Sequence, residues 1–211
     1  MQHHRVLALA PHTDDVELGC GAAVARLVEE GSEVFVAAFS IAEDSVPPGA
    51  PRDTLRNEFL RAVPQLGVPA DHLFIYEFPV RRLSSYRQEV LETLVLLRRQ
   101  IEPDLVLLPS AHDVHQDHRV IHAEGGRAFK GGSIFGYELP WNHLRFAAQA
   151  FVVIEPRHLD RKWAALQEYH SQFQLERAYF SREFFEGLAR VRGTQIKAPL
   201  AEAFEVVRLR L

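Results

Sequence analysis

Apolar and polar positions along this chain alternate between two periods. Residues 5–12, RVLALAPH, hold the unbroken apolar run VLALA, the pattern of a short strand buried on both faces of a parallel sheet. Residues 17–31, ELGCGAAVARLVEEG, switch to a helical period and end at Gly31, a residue suited to a helix C-terminal cap. EVFVAAFS, residues 33–40, reads as a second strand. Strand, helix and strand in that order need a crossover connection, so a parallel sheet is expected.

The same alternation continues downstream. IAEDSVPPGAPRD (41–53) contains three prolines and is expected as an irregular loop at the mouth of any site on that edge. Asp53 then opens a helix through residues 54–67, and HLFIYEF (72–78) follows as a strand. SYRQEVLETLVLLRRQIEP (85–103) predicts a long amphipathic helix closed by Pro103, and DLVLLPS (104–110) a further apolar strand. Beyond it lie a helix in 118–132, strands in 133–141 and 150–156, helices in 159–172 and 181–193, and a closing strand in 203–211. The pattern predicts an α/β fold: a Rossmann-like sheet of mainly parallel strands with helices on both faces. One domain is expected over residues 1–211.

Composition narrows the function. With 47% hydrophobic and 25% charged residues the sequence sits in the range of soluble globular proteins. A net charge of -4 offers no footprint for nucleic acid or an anionic membrane, so a small-molecule partner is expected. The lone Cys20 cannot form an intramolecular disulfide, and the N-terminal apolar run is too short for a signal sequence or a membrane span. A cytoplasmic enzyme is the resulting expectation, with homo-oligomerisation left open. His3 and His4 read as a solvated N-terminal end.

Two polar clusters interrupt this pattern, both at strand exits. The first is "PHTDD", with His12, Asp14 and Asp15. The second is "SAHDVHQDH" with the histidine that follows it: His112, His115, His118 and His122 crowd together with Asp113 and Asp117. Loops at the carboxyl ends of strands converge on ligands in open α/β sheets, so the clusters can share one site despite lying about a hundred residues apart. Two histidines and a carboxylate make a catalytic zinc set with a fourth position open, and His12, Asp15 and His118 would supply it. Neighbouring aspartates on a turn point apart, so one can bind a metal while the other takes a proton from the water that attacks a carbonyl. Helix N-terminal capping is the competing role for either aspartate. His118 and His122, four apart, could also pair as ligands on a helix.

The motifs HTDDVELGCG and HQDH, in this order and at two strand exits, resemble those of the PIG-L or LmbE-like de-N-acetylases. Those enzymes use zinc to remove an acetyl group from N-acetylglucosamine-type sugars. Their first motif is usually His-Pro-Asp-Asp-Glu; here Thr13 replaces the proline and Val16 the glutamate, with Glu17 one position later. The tail RVRGTQIKAPLAEAFEVVRL is also similar to the family's C-terminal segment. The resemblance implies one zinc per chain on His12, Asp15 and His118, with Asp14 as general base. It implies that His115 stabilises the oxyanion or protonates the leaving amine, and that Asp117 orients or charges the His115 imidazole. The implied substrate is an N-acylated amino sugar or glycoconjugate. Arg81, Arg82 and Arg87 are candidate contacts to hydroxyls or phosphate, and Glu138, Trp141 and Asn142 candidate walls of a sugar site. A metal-dependent phosphoesterase and an inactive sugar-binding module of the same fold are the alternatives. The glycines of "GCG" read as close packing of helix on sheet.

Overall fold

The structure, a computed structural model, describes residues 3–210. Its strands are β1 Arg5–His12, β2 Glu33–Ser40, β3 Leu73–Ile75, β4 Leu105–Pro109, β5 Ser133–Tyr137, β6 Ala150–Val153 and β7 Ala201–Arg208. The helices are α1 Asp15–Glu29, α2 Thr54–Gln65, α3 Arg87–Ile101, α4 Gln116–Ala128, α5 Pro156–Gln167, α6 His170–Phe173 and α7 Arg182–Gln195. The strands form one sheet in the order β3-β2-β1-β4-β5-β7-β6. β1 to β5 run parallel, and β7 lies antiparallel between β5 and β6.

Side-chain alternation on β1 shows why the run is apolar throughout. Val6, Ala8 and Ala10 enter the core shared with α1, α2 and α5 on one face, whereas Leu7 and Leu9 enter the core formed with α3 and α4 on the other. The chain builds outward from β1 to β2 and β3, then returns through α3 to β4 on the opposite side of β1. The carboxyl ends of β1 and β4 therefore flank the point where the strand order reverses, the place where such sheets open a crevice.

Helix α1 is broken at Cys20 (φ -147°, ψ 23°). The Leu18 carbonyl accepts from Lys162 Nζ at 2.8 Å, and the Ala22 and Ala23 amides donate to Glu202 at 3.4 and 2.7 Å. A buried Lys162–Glu202 ion pair thus replaces the helical bonds lost at the break. A Cβ at Gly19 would strike the Tyr137 ring, so this glycine does allow α1 to approach the sheet.

Tertiary packing shifts several expected elements. The strand expected over 72–78 shortens to Leu73–Ile75 because it is an edge strand paired only with β2. A capping box between Glu155 and His158 starts α5 earlier than its periodicity suggests, and Tyr169 separates it from α6. Tyr169 is held there by its hydroxyl, 2.6 Å from both the Thr13 carbonyl and Glu17 Oε1. His3, expected in solvent, is half-buried with its ring edge-on to Phe135 and Nδ1 3.5 Å from Asp104. Among the described residues no helix is long and apolar enough to cross a membrane.

Candidate active site

His12 is the last residue of β1, and the turn Thr13-Asp14 leads directly into α1. Asp15 Oδ2 accepts the His12 backbone N–H at 2.8 Å, which folds the aspartate back over the strand end. Asp14 occupies the N-cap position yet its side chain makes no capping bond, so the capping role expected as an alternative does not account for it. Across the crevice, the loop after β4 carries Asp113, and His115 caps α4 by accepting the Asp117 N–H on Nδ1 at 3.2 Å. His118 follows in the first turn of α4.

Three donor atoms meet at the bottom of the crevice. His12 Nδ1 lies 3.2 Å from Asp15 Oδ2, His118 Nε2 lies 3.3 Å from the same oxygen, and the two nitrogens are 3.3 Å apart. A tetrahedral zinc ion with ligands at about 2.0–2.1 Å has ligand-to-ligand edges of about 3.3–3.4 Å, so this triangle has the dimensions of one tetrahedral face. Each imidazole is braced on its other nitrogen: His12 Nε2 by Asp117 Oδ2 at 2.9 Å, and His118 Nδ1 by Asp113 Oδ2 at 2.7 Å. Carboxylate bracing of this kind orients metal-binding histidines and raises their basicity. His115 stands close by, and ring nitrogens of His12, His115 and His118 lie within 4.8 Å of one another. The donor set fits a divalent metal.

The electrostatics follow from this packing. Burial opposes the charged form of His12, but hydrogen bonds to Asp117 and Asp15 prevail and raise its pKa to about 9. His118 is raised to about 10 against burial by Asp15 and Asp113. Burial likewise works against a charged Asp15, and His118 and His12 nonetheless hold it far below the usual carboxylate range. The facing nitrogens, 3.3 Å apart, both lie against Asp15 Oδ2, so the triangle concentrates positive charge on that carboxylate, whether as protons or as a metal. Asp14 is pushed up to about 6 by burial and by Asp15, while His115 is pulled down to about 4 by burial and by His118 and His12.

That last shift corrects an expectation. Asp117 does not charge His115: its carboxylate turns to His12 and to the backbone N–H groups of Arg81 (2.6 Å) and Leu83 (3.1 Å), leaving only its own N–H for His115. Residues two apart at a helix start face different directions, so the two side chains cannot pair. His115 is consequently a neutral imidazole.

A cavity of about 330 Å³ opens above the donor triangle, with Asp14, His115, Arg81, Trp141 and Asn142 in its walls and Ala42 and Ser45 from the proline-rich loop at its edge. Other expected contacts lie elsewhere. Arg87 is bound to fully buried Glu124 (Nε–Oε1 2.8 Å), Glu138 is paired with Arg192, and Arg82 is exposed outside the cavity. Arg87 and Glu138 are held by partners distant in sequence, Glu124 and Arg192. His122 bonds the Pro109 carbonyl at 2.8 Å, which leaves it outside the donor triangle. Trp141 is stacked on Tyr179, with centroids 3.7 Å apart and planes 8° apart. Four further residues belong to the site without having been assigned from sequence: Asp113, Gln172, Arg177 and Tyr179. Asp113 lies within the histidine cluster and was discoverable there; the other three sit around α6 and in the connection after it, without motif or periodicity.

A family profile described as "PIG-L: GlcNAc-PI de-N-acetylase" matches residues 7–129, more than half of the 211-residue chain. The chain belongs to the PIG-L family. This PIG-L chain is also similar to the uncharacterized deacetylase YaiS of Escherichia coli (strain K12), with 30% identity over 173 residues, 79% of this chain and 90% of the relative. Among solved structures, the conserved protein TT1542 from Thermus thermophilus matches with a TM-score of 0.80 and 26% identity, covering 98% of this chain and 96% of that one. GalB, the 4-carboxy-2-hydroxymuconate hydratase from Pseudomonas putida KT2440, matches with a TM-score of 0.79 and 20% identity over 99% and 98%, a likeness of fold alone. Membership in this family supports an enzyme of the deacetylase type, and His12, His115 and His118 are grouped closely enough to hold a metal ion.

Proposed function

We propose that this chain is a zinc-dependent hydrolase that removes an N-acetyl group from an amino sugar or its conjugate. The observation that carries the proposal is the triangle of His12, Asp15 and His118, each imidazole braced by its own carboxylate, beneath a cavity that also contains the uncapped Asp14. In this assignment those three residues hold the metal, and His115 is left to act on the substrate. A bound divalent ion supplies Lewis acidity toward the acyl oxygen and lowers the pKa of water.

The chain's own residues perform the remaining work. Asp14, with a pKa of about 6, is a carboxylate at neutral pH and takes the proton of the attacking water; it then returns that proton to the departing amine. Because Nδ1 of His115 accepts a backbone N–H, the proton of its neutral ring sits on Nε2. That N–H serves as the donor to the acyl oxygen as negative charge grows there. Trp141 and Tyr179, stacked together, form an apolar wall for a sugar ring, and Asn142 offers an amide beside it.

The test is acetate release from a panel of N-acetylated amino sugars and their conjugates, with the metal removed and then restored. Metal-dependent acetate formation is expected. Release of phosphate, hydration of a carbon–carbon double bond as in GalB, or binding without turnover would each replace the proposal with a different activity on the same fold.

A further inference from the structure

The turn Thr13-Asp14, which carries the proposed base, is not held by its own side chains. Asp14 makes no capping bond, and among the described residues the buried Thr13 hydroxyl has no hydrogen-bond partner. Tyr169, in the connection between α5 and α6, reaches this turn from outside: its hydroxyl lies 2.6 Å from the Thr13 carbonyl oxygen. That carbonyl belongs to the rigid peptide plane that ends at the Asp14 Cα, so the bond restrains the unit from which the Asp14 side chain departs. A carbonyl can only accept, and the hydroxyl donates its one proton there. The phenol oxygen meets the Glu17 carboxyl at 2.6 Å on its other side, which fixes the ring. Burial holds the Tyr169 proton well above the ordinary tyrosine range, so the donor persists throughout the working pH of an enzyme.

The proposed metal ligands have separate anchors. Asp15 accepts the His12 N–H, His12 is braced by Asp117, and His118 by Asp113. Tyr169 itself is fully buried and outside the cavity, so it is not a group that meets substrate. The residues that follow it are cavity wall: Gln172 on α6, then Arg177 and Tyr179. This segment is tied down in turn, because Ser171 donates its N–H and its hydroxyl to buried Glu58 of α2 at 2.9 and 2.6 Å. One anchored segment thus lines the cavity and reaches the turn that bears the base. We propose that Tyr169 is a positioning residue: through the Thr13 carbonyl, its hydroxyl sets the direction of the Asp14 carboxylate. The proposal rests on the deacetylase reading for the role of Asp14. A misplacement of about 1 Å at a reacting group costs on the order of 10²-fold in rate.

The test compares Tyr169→Phe with Tyr137→Phe in the metal-loaded full chain. Tyr137 is the matched control, since it is equally buried and its hydroxyl donates to another β1 carbonyl, that of Leu9, at 2.9 Å and away from the turn. Each variant loses one buried hydrogen bond and should lower Tm by about 5 °C. Only Tyr169→Phe should lower kcat for acetate release from methyl N-acetylglucosaminide, by about 10- to 100-fold, with KM and metal affinity within about threefold of the parent. Crystal structures of the metal-loaded parent and both variants should show the Asp14 carboxylate displaced, or divided between conformers, in Tyr169→Phe alone. An equal fall in kcat in the two variants overturns the proposal, because loosening of the fold would then explain it. So does displacement of Asp14 with parental kcat, or a loss of metal affinity of about tenfold or more, which would make Tyr169 a support of the metal ligands instead. An Asp14 carboxylate in its parental place in Tyr169→Phe overturns the proposal whether or not the parent releases acetate. Displacement of Asp14 in that variant alone, with a parent that releases no acetate, would keep the link from Tyr169 to Asp14 and remove the deacetylase proposal.

Discussion

Replacing Asp117 by asparagine separates the role seen in the structure from the one expected from sequence. The side chain is fully buried, and its oxygens accept from His12 Nε2 (2.9 Å), Arg81 N (2.6 Å) and Leu83 N (3.1 Å). An asparagine can turn its amide oxygen toward the first two donors, but its NH₂ then opposes the Leu83 N–H, an unmet buried donor worth about 1–3 kcal/mol. Loss of the charge weakens each of the other two bonds by about 1 kcal/mol, so the total approaches about 3–5 kcal/mol. For a chain of this size that lowers Tm by roughly 10 °C. His12 loses the carboxylate that orients it, which should reduce metal affinity about 10- to 100-fold. Equilibrium competition with a chromophoric chelator measures the affinity, and thermal melts of the metal-free protein measure the stability. Metal affinity within threefold of the parent would refute the bracing of His12. A variant that kept its metal and changed only the alkaline side of its pH profile would restore the pairing of Asp117 with His115.

Three other outcomes follow from the same geometry. kcat/KM should rise with pH through about 6 as Asp14 loses its proton, and Asp14→Asn should keep the metal while lowering kcat by about 10²- to 10⁴-fold; His115→Ala should lower kcat by about 10²- to 10³-fold without changing the shape of the profile, because His115 is neutral above about 4, and loss of an alkaline limb in that variant would contradict this. Metal binding at pH 7 should release at least one proton, measured by calorimetry in buffers of different ionisation enthalpy, since His12 and His118 must both be neutral to bind and their pKa values are raised to about 9 and 10; affinity should therefore climb as pH rises above 7, and a proton count of zero would rule this out. Arg87→Ala should lower stability by about 2 kcal/mol in a denaturant titration, because buried Glu124 keeps only Arg127, while kcat stays unchanged; a fall in kcat at equal metal content would return Arg87 to the site.

Much of this architecture is local and was therefore legible in the sequence. A strand buried on both faces must be apolar at every position, so VLALA marked β1, and the two histidine and aspartate clusters could be placed at strand exits. His12, Asp15 and His118 follow from those placements, because the order of the strands brings the ends of β1 and β4 together. Periodicity has no information on where a long polar side chain ends. Arg87 met Glu124 across 37 residues and Glu138 met Arg192 across 54, because a buried carboxylate binds whichever cation packing delivers. Arg177 and Tyr179 reach the cavity from an irregular connection that only packing positions. The direction of the Asp117 carboxylate was likewise a tertiary matter. Three donors from β1 and the turn after β3 surround it, and three hydrogen bonds to a buried charge outweigh any contact with a neighbour two residues away. Sequence determined which chemical groups stand at the strand exits; the meeting of distant segments decided which of them face the ligand and which serve one another.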